Sequence, residues 1–281
     1  MIVTRFAPSP TGHLHLGHAY SALFAYEAAQ KEGGRFLLRI EDIDPVRCRP
    51  EFTAAIFEDL RWLGLTWEEP VRQQSKHMHQ YAALLFKLRD AGVLYPCFCT
   101  RSDVVAEAAN AGHAPHEGPD GPLYPGTCRQ LSDKEAADKL AEHKTANWRL
   151  YVEKALEITG PLTWHDRAKG KIEARPQEFG DVVIARKDVP TSYHLSVTVD
   201  DHLQGVTLVT RGEDLFRATD IHCLLQALLG YPTPDYHHHP LMLDAEGKRH
   251  AKRDKSVTLR ALRESGITVE EIRRKLSFGG S

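Results

Sequence analysis

Ile2 to Tyr20 reads IVTRFAPSPTGHLHLGHAY. Ile2 to Ala7 is a short, mostly apolar run, which predicts a buried strand. Pro8, Pro10 and Gly12 break that run, so a tight loop must follow. From Gly17 the pattern turns helical, with Leu16, Tyr20, Leu23, Phe24 and Tyr26 to Ala28 forming an apolar stripe. The loop therefore opens on a helix N-terminus. Unpaired backbone N–H groups and the positive end of the helix dipole gather there, which suits a phosphate. At that point the chain places His15-Leu16-Gly17-His18. Gly17 permits close backbone approach, and the imidazoles of His15 and His18 can donate hydrogen bonds to phosphoryl oxygens. A His-rich turn with no ligand is the alternative.

Outward from this stretch, the Gly33-Gly34 pair is a natural helix stop, and Arg35 to Ile40 reads as a second buried strand. Strand, crossover helix and strand make a right-handed βαβ unit, whose ligand crevice lies beyond the carboxyl ends of the strands. That puts Arg5 to Ser9 and Glu41 to Asp44 on one edge. No GxGxxG or GxxxxGK occurs, so neither a dinucleotide fingerprint nor a P-loop is claimed. Glu41, Asp42 and Asp44 form an acidic patch, which is either a solvated turn or, at Glu41, a carboxylate placed to hold a substrate ammonium.

Apolar spacing predicts helices over Phe52 to Leu63, Met78 to Leu88 and Leu215 to Leu229. A charged helix over Leu131 to Leu140 has Ser132 and Glu135 at capping-box spacing. Strands are predicted at Trp148 to Val152, Leu156 to Thr163, Val182 to Ala185 and Tyr193 to Val199, and one or two short helices over Leu259 to Leu276. Arg211 follows the apolar run Val206 to Val209, so its guanidinium should emerge at a strand end. A planar guanidinium fork suits a carboxylate, although a lone arginine is more often a surface salt bridge. Arg5 and Arg211 together fit a substrate with a side-chain carboxylate. Glutamine would leave such charges unpaired, which favours discrimination.

Cys97-Phe98-Cys99 and, after a long loop, Cys128 can set three thiolates on one cation, with zinc the usual occupant of a soft tetrahedral site. Three incidental buried cysteines are an equal alternative. His113 and His116 lie in the same loop as further ligand candidates, while Cys48 and Cys223 read as a loop thiol and a core residue. The chain has 281 residues, a formal net charge of -2 and no global basic field to advertise nucleic acid. Arg167, Lys169 and Lys171 form a modest local basic patch. No apolar run reaches membrane-spanning length, the start has no signal-peptide pattern, and an odd cysteine count does not fit a secreted disulfide framework. A cytoplasmic protein, with no membrane partner, is expected.

RFAPSPTGHLHLGH resembles the first signature of class I aminoacyl-tRNA synthetases in their glutamyl form. The resemblance continues through Arg39 to Asp44 (RIEDID), Trp62 to Trp67 (WLGLTW), Val197 to Leu215 and Tyr236 to Leu241, nearly the whole chain. It implies an α/β fold with a Rossmann-like parallel-sheet nucleotide-binding domain over 1–96 and 178–240. A zinc-bearing, tRNA-receiving insertion would span 97–177, and an ATP loop with a short helical segment would span 241–281. It implies that Arg5, Phe6, Ala7, Pro8, Ser9, Glu41, Tyr193 and Arg211 hold L-glutamate, with Glu41 on the α-amino group. His15, Gly17, His18 and Lys252 would bind ATP and its Mg2+, and His15, His18 and Lys252 would be catalytic. Tyr124 would join Cys97, Cys99 and Cys128 on one structural Zn2+, and His238 would lie near the nucleotide.

Arg249 to Arg253 occupies the slot of the family's Lys-Met-Ser-Lys-Ser loop, with Arg, His, Ala and Arg replacing all but the second lysine. Cationic charge survives there and the hydroxyls do not. The family's full-length members continue into a helical anticodon-binding domain. The short relatives without one imply transfer of glutamate to queuosine in tRNA(Asp), by a monomer. Three other readings stand beside this: an ordinary or truncated glutamyl-tRNA synthetase charging a tRNA 3′ end, an adenylate-forming enzyme that uses no tRNA, and a catalytically silent RNA-binding relative.

Overall fold

The computed structural model describes residues 1–110, 117–119, 121–143, 145–241 and 257–278. Strand β1 (Val3–Phe6), helix α1 (Leu16–Lys31) and strand β2 (Arg35–Ile40) form the expected unit, with β1 and β2 parallel in the register Val3↔Arg35 to Phe6↔Leu38. Gly33 adopts φ 60° directly after α1, a left-handed turn that a side chain would strain. Helix α2 (Pro50–Trp62) starts on a proline and leads to strand β3 (Arg72–Gln73), which extends the sheet beside β2. Helix α3 (Met78–Asp90) then enters strand β4 (Leu94–Cys97).

Between the cysteines lie α4 (Arg101–Asn110) and the two-residue strands β5 (Glu117–Gly118) and β6 (Gly121–Pro122). Helix α5 (Asp133–His143) follows, capped as its sequence predicts: Glu135 N–H donates to Ser132 Oγ and Ser132 N–H to Glu135 Oε2. Next come β7 (Asn147–Leu150), α6 (Val152–Thr159), β8 (Thr163–Asp166), β9 (Gly170–Glu173) and β10 (Val183–Ala185). Helix α7 (Tyr193–Leu203), β11 (Leu208–Gly212), α8 (Ala218–Leu229) and β12 (Asp235–His239) bring the chain back beneath β1. The described chain ends with α9 (Leu259–Glu264) and α10 (Val269–Lys275).

The remaining strands form a β11-β12-β8-β9 sheet, with β11 and β12 parallel, and a β10-β7-β4 sheet. β11 lies beside β1, where Val3 N–H donates to Thr207 Oγ1 and Thr207 N–H to Val3 O. One apolar core joins α1, α2 and β2 to Leu259, Ile272 and Leu276 at the C-terminal end. A second packs α3, α6, α7 and α8 against β4, β7 and β10. A third core joins Val3 of β1, Leu37 of β2 and Val209 of β11 to Trp164, Cys223 and Tyr236.

Two strand expectations are corrected. Tyr193 to Val199 is the start of α7. Its β-branched residues read as strand, but Leu195 to Asp201 are all buried, so the helix has no polar face to reveal its period. Leu156 to Thr163 is the end of α6 and the entry to β8. Val152 and Ala155 are its buried face, and Gly160, at φ 68°, ends the helix.

Candidate active site and thiol cluster

One cavity of about 560 Å3 opens at the carboxyl ends of β1, β2 and β11. Arg5, Phe6, Ala7, Pro8, Ser9, His15, Gly17, His18, Glu41, Tyr193 and Arg211 all line it. Each is a residue that the sequence places there. Three chain segments supply one end of it: the exit of β1, the exit of β2 with Glu41, and the buried helix α7 with Tyr193. Ser9 Oγ donates to Glu41 O at 2.7 Å, tying the first two together. Burial pushes the Glu41 carboxyl upward, against the pull of Arg39 and Arg5. Burial also raises the Tyr193 phenol, which stays protonated and able to donate.

Arg5 and Arg211 differ in their partners. Arg5 is locked to Asp201, with Nε to Oδ1 at 2.9 Å and Nη2 to Oδ2 at 3.2 Å, and its Nη1 donates to Thr210 O. Arg211 has no carboxylate partner among the described residues. Its Nε donates to His238 Nε2 at 3.1 Å, Nη1 to His222 Nδ1 at 3.1 Å and Nη2 to Thr219 Oγ1 at 2.6 Å. Because both rings accept from Arg211, their protons sit on the opposite nitrogens. His238 Nδ1 then donates to Asp166 Oδ2 at 2.7 Å, and His222 Nε2 to His194 Nδ1 at 3.1 Å. Burial, reinforced by the Arg211 charge, brings both His194 and His238 down to about 4 and holds His222 well below the usual range. Arg211 is thus a buried cation held by neutral groups, with one further N–H on each terminal nitrogen.

The helix N-terminus departs from expectation. The two histidines cap α1 themselves: Gly17 N–H donates to His15 Nδ1 and His15 N–H to His18 Nδ1, both at 3.2 Å. His18 and Ala19 N–H both donate to His15 O. The backbone donors expected to meet a phosphate are thus engaged within the turn. Capping instead fixes the tautomer, leaving the ring proton of each histidine on Nε2. The rings lie 3.9 Å apart, centroid to centroid, on the cavity wall.

Beyond them the wall passes to Tyr20, Ser21, Gly212, Asp214, Leu215, His239 and Leu241. Ser21 Oγ bonds His239 Nε2 at 3.0 Å. His239 reaches the cavity, whereas His238 lies behind Arg211. Lys252 and Arg249 to Arg253 lie outside the described residues. The segments flanking them are placed: Leu241 lines the cavity, Thr258 bridges to His15, and Leu259 N–H donates to Leu14 O.

Away from the cavity, Cys97, Cys99 and Cys128 converge, their sulfurs all within 4.8 Å of one another. β4 delivers Cys97, and a short 3-10 turn over Thr127–Gln130 delivers Cys128. The Tyr124 hydroxyl sits 3.5 Å from Cys97 Sγ and 3.6 Å from Cys99 Sγ, and accepts from Cys128 N–H at 2.8 Å. Arg149 Nε donates to Cys97 Sγ at 3.2 Å while its guanidinium stacks 3.8 Å over the Tyr124 ring. Burial, together with the neighbouring sulfurs, pushes the Cys99 thiol up to about 12. A soft donor set of this kind is drawn into thiolate form by a cation. His113 and His116 lie outside the described residues.

A family model described as "tRNA synthetases class I (E and Q), catalytic domain" matches residues 1–280. The chain is 48% identical over 281 residues to the Glutamyl-Q tRNA(Asp) synthetase of Rhodobacter capsulatus, covering 99% of this chain and 100% of that relative. The chain belongs to the class I (E and Q) tRNA synthetases, with the glutamyl-Q tRNA(Asp) synthetases. It is also 38% identical over 282 residues to the Glutamate–tRNA ligase of Coprothermobacter proteolyticus, covering all of this chain and 58% of that one. The solved glutamate tRNA ligase of Elizabethkingia meningosepticum, in complex with its amino acid, superposes with a TM-score of 0.76 at 30% identity. That match covers 90% of this chain and 52% of the ligase, so the chain spans about half the length of that structure.

For this synthetase fold, the sequence reading missed the residues behind the cavity wall: Arg39, Asp201, Thr219 and His222. Their signal was a charge inside an apolar run, as in RFLLRI and VTVDDHL. In the patch of Arg167, Lys169 and Lys171, the first two have carboxylate partners: Arg167 pairs with Glu32 and Lys169 with Glu213. Among the described residues, no helix is long and apolar enough to cross a membrane.

Proposed function

We propose that the chain activates L-glutamate with ATP, giving glutamyl-adenylate and pyrophosphate, and transfers the glutamyl group to queuosine in tRNA(Asp). The observation that carries this reading is Arg211, a buried guanidinium with neutral partners, in one cavity with the Glu41 carboxyl. An amino acid with an extra carboxylate matches that pair: its ammonium meets Glu41 and its side-chain carboxylate meets Arg211. The Rhodobacter capsulatus relative, matched end to end, supports the choice of acceptor.

In the first step, an α-carboxylate oxygen attacks the α-phosphorus and pyrophosphate leaves. The carboxylate is already ionised, so no general base is needed and catalysis is positioning plus charge stabilisation. His15 and His18 present Nε2–H donors to the phosphoryl oxygens, with Lys252 and Mg2+ meeting the remaining charge. Tyr20, Ser21, Gly212 and His239 offer the nucleoside end of the cavity. In the second step a queuosine ring hydroxyl takes the acyl group and AMP leaves.

Cys97, Cys99, Cys128 and Tyr124 would hold one structural Zn2+, bracing the segment within 97–177 that would receive the tRNA arm. Metal analysis of the purified protein tests this: about one zinc per chain is expected, falling steeply in Cys128→Ser.

The decisive experiment supplies radiolabelled glutamate, ATP and Mg2+ with tRNA(Asp) carrying or lacking queuosine, and in parallel with tRNA(Glu). Label on the queuosine form alone is expected. Label on the 3′ ribose of tRNA(Glu) would overturn the acceptor, and absence of glutamyl-adenylate would overturn the activation step.

A further inference from the structure

Behind the amino-acid end of the cavity lies a ladder of buried charge with no role in the reaction as described above. Arg39 is fully buried in β2, where its sequence neighbours are apolar. Its Nη2 donates to Glu41 Oε1 at 3.0 Å and its Nη1 to Asp201 Oδ1 at 2.8 Å. That same Asp201 oxygen accepts from Arg5 Nε at 2.9 Å. Asp200, one residue earlier, binds Arg72 Nε at 2.7 Å, Gln74 Nε2 at 2.8 Å and the Tyr81 hydroxyl. Three guanidiniums, Arg5, Arg39 and Arg72, therefore face three carboxyl groups, Glu41, Asp200 and Asp201. Among the described residues no carboxylate pairs directly with Arg211, and the buried Asp166 reaches it only through the His238 ring.

We propose that Asp201, held by Arg39, is a positioning residue for amino-acid selection: it fixes the Arg5 fork and answers its charge, so that Arg211 is the cation left for a substrate carboxylate. The chemistry follows from the shared oxygen. Without the Asp201 carboxylate, Arg5 and Arg39 would face Glu41 as the nearest remaining anion. They would draw its carboxylate away from the substrate ammonium. Arg211 is then the cation of the site without a direct carboxylate partner among the described residues. The site therefore favours an amino acid of net charge -1 over its neutral amide. The inference rests on the glutamate-activating reading.

The test measures glutamate-dependent ATP–pyrophosphate exchange and glutamate binding by calorimetry, with thermal unfolding as a control. Wild-type protein comes first: no glutamate binding there would overturn the functional reading itself, independently of Asp201. Asp201→Asn is expected to raise the glutamate KM about tenfold or more while the ATP KM stays within about twofold. Asp201→Glu, which restores the charge, should recover part of the loss. In an Arg5→Gln background the Asp201→Asn effect should shrink to about twofold or less, because the two residues act as a pair.

A glutamate KM within about twofold of wild type in folded Asp201→Asn would overturn the proposal, as would equal rises in both substrates' KM. Full additivity with Arg5→Gln would overturn it too. If Asp201→Asn does not fold, Arg39→Lys takes its place. It keeps the charge but loses the fork that spans Glu41 and Asp201. A rise confined to the glutamate KM is expected, and an unchanged value would overturn the proposal.

Discussion

Arg5 and Arg211 are buried almost equally, at 4% and 6% exposure, and both line the same cavity. Burial would exact the same desolvation from each, yet the protein compensates them differently. Arg5 has a carboxylate partner in Asp201. Arg211 is wrapped by two neutral imidazoles and a hydroxyl, which orient it without cancelling its charge. A buried cation of that kind is costly to the apo protein and gains most when an anion arrives. The lesson is that two arginines alike in burial and strand position are told apart by their partners.

The largest effect should come from removing the uncompensated cation. Arg211→Ala is expected to lower kcat/KM for glutamate by about three orders of magnitude with the fold intact, read by pyrophosphate exchange and unfolding temperature. Near-normal exchange would remove Arg211 from the site and dissolve the contrast with Arg5. Arg5→Gln should cost less, about tenfold to a hundredfold in kcat/KM, because its charge is already answered by Asp201. If the two losses are equal, the partner argument fails.

Smaller again is Thr219→Val, which removes the acceptor of Arg211 Nη2 but leaves both imidazoles. A rise of about threefold to tenfold in glutamate KM is expected, with the ATP KM unmoved. The mildest test is pH. His194 and His238 are brought down to about 4 in the folded protein, below the ordinary imidazole value of 6.5. In the unfolded chain they take up protons first, so the stability they contribute is present above about 6.5 and is lost as pH falls toward about 4. Unfolding temperature should decline across that window, and His194→Gln should flatten part of the decline. The same slope in the variant would show that His194 contributes none of it.

Much of this was legible in order along the chain. The run from Ile2 to Tyr20 announced strand, loop and helix, because proline and glycine punctuate an apolar pattern whose period changes. The CxC spacing with Cys128 offered a thiol cluster as one of two equal readings, and the fold brings the three sulfurs together. Helix α7 was misread for a physical reason: an element buried on every side has no polar face, so its periodicity is silent and its β-branched residues point to strand. The N-terminus of α1 was misjudged because an imidazole one turn away can take the place of a ligand, and only coordinates show that it does.

By itself the sequence determined which residue types would meet at the carboxyl edge of the sheet: two arginines, a glutamate, two histidines and a tyrosine. Strand ends and helix starts are local features, and local pattern fixes them. Only the tertiary structure decided how those charges are paired. Asp201 reaches Arg5 across 196 residues of chain and Arg39 across 162, and His222 of α8 meets Arg211 of β11. Electrostatic pairing depends on distance and burial in three dimensions, and neither is written in the order of residues.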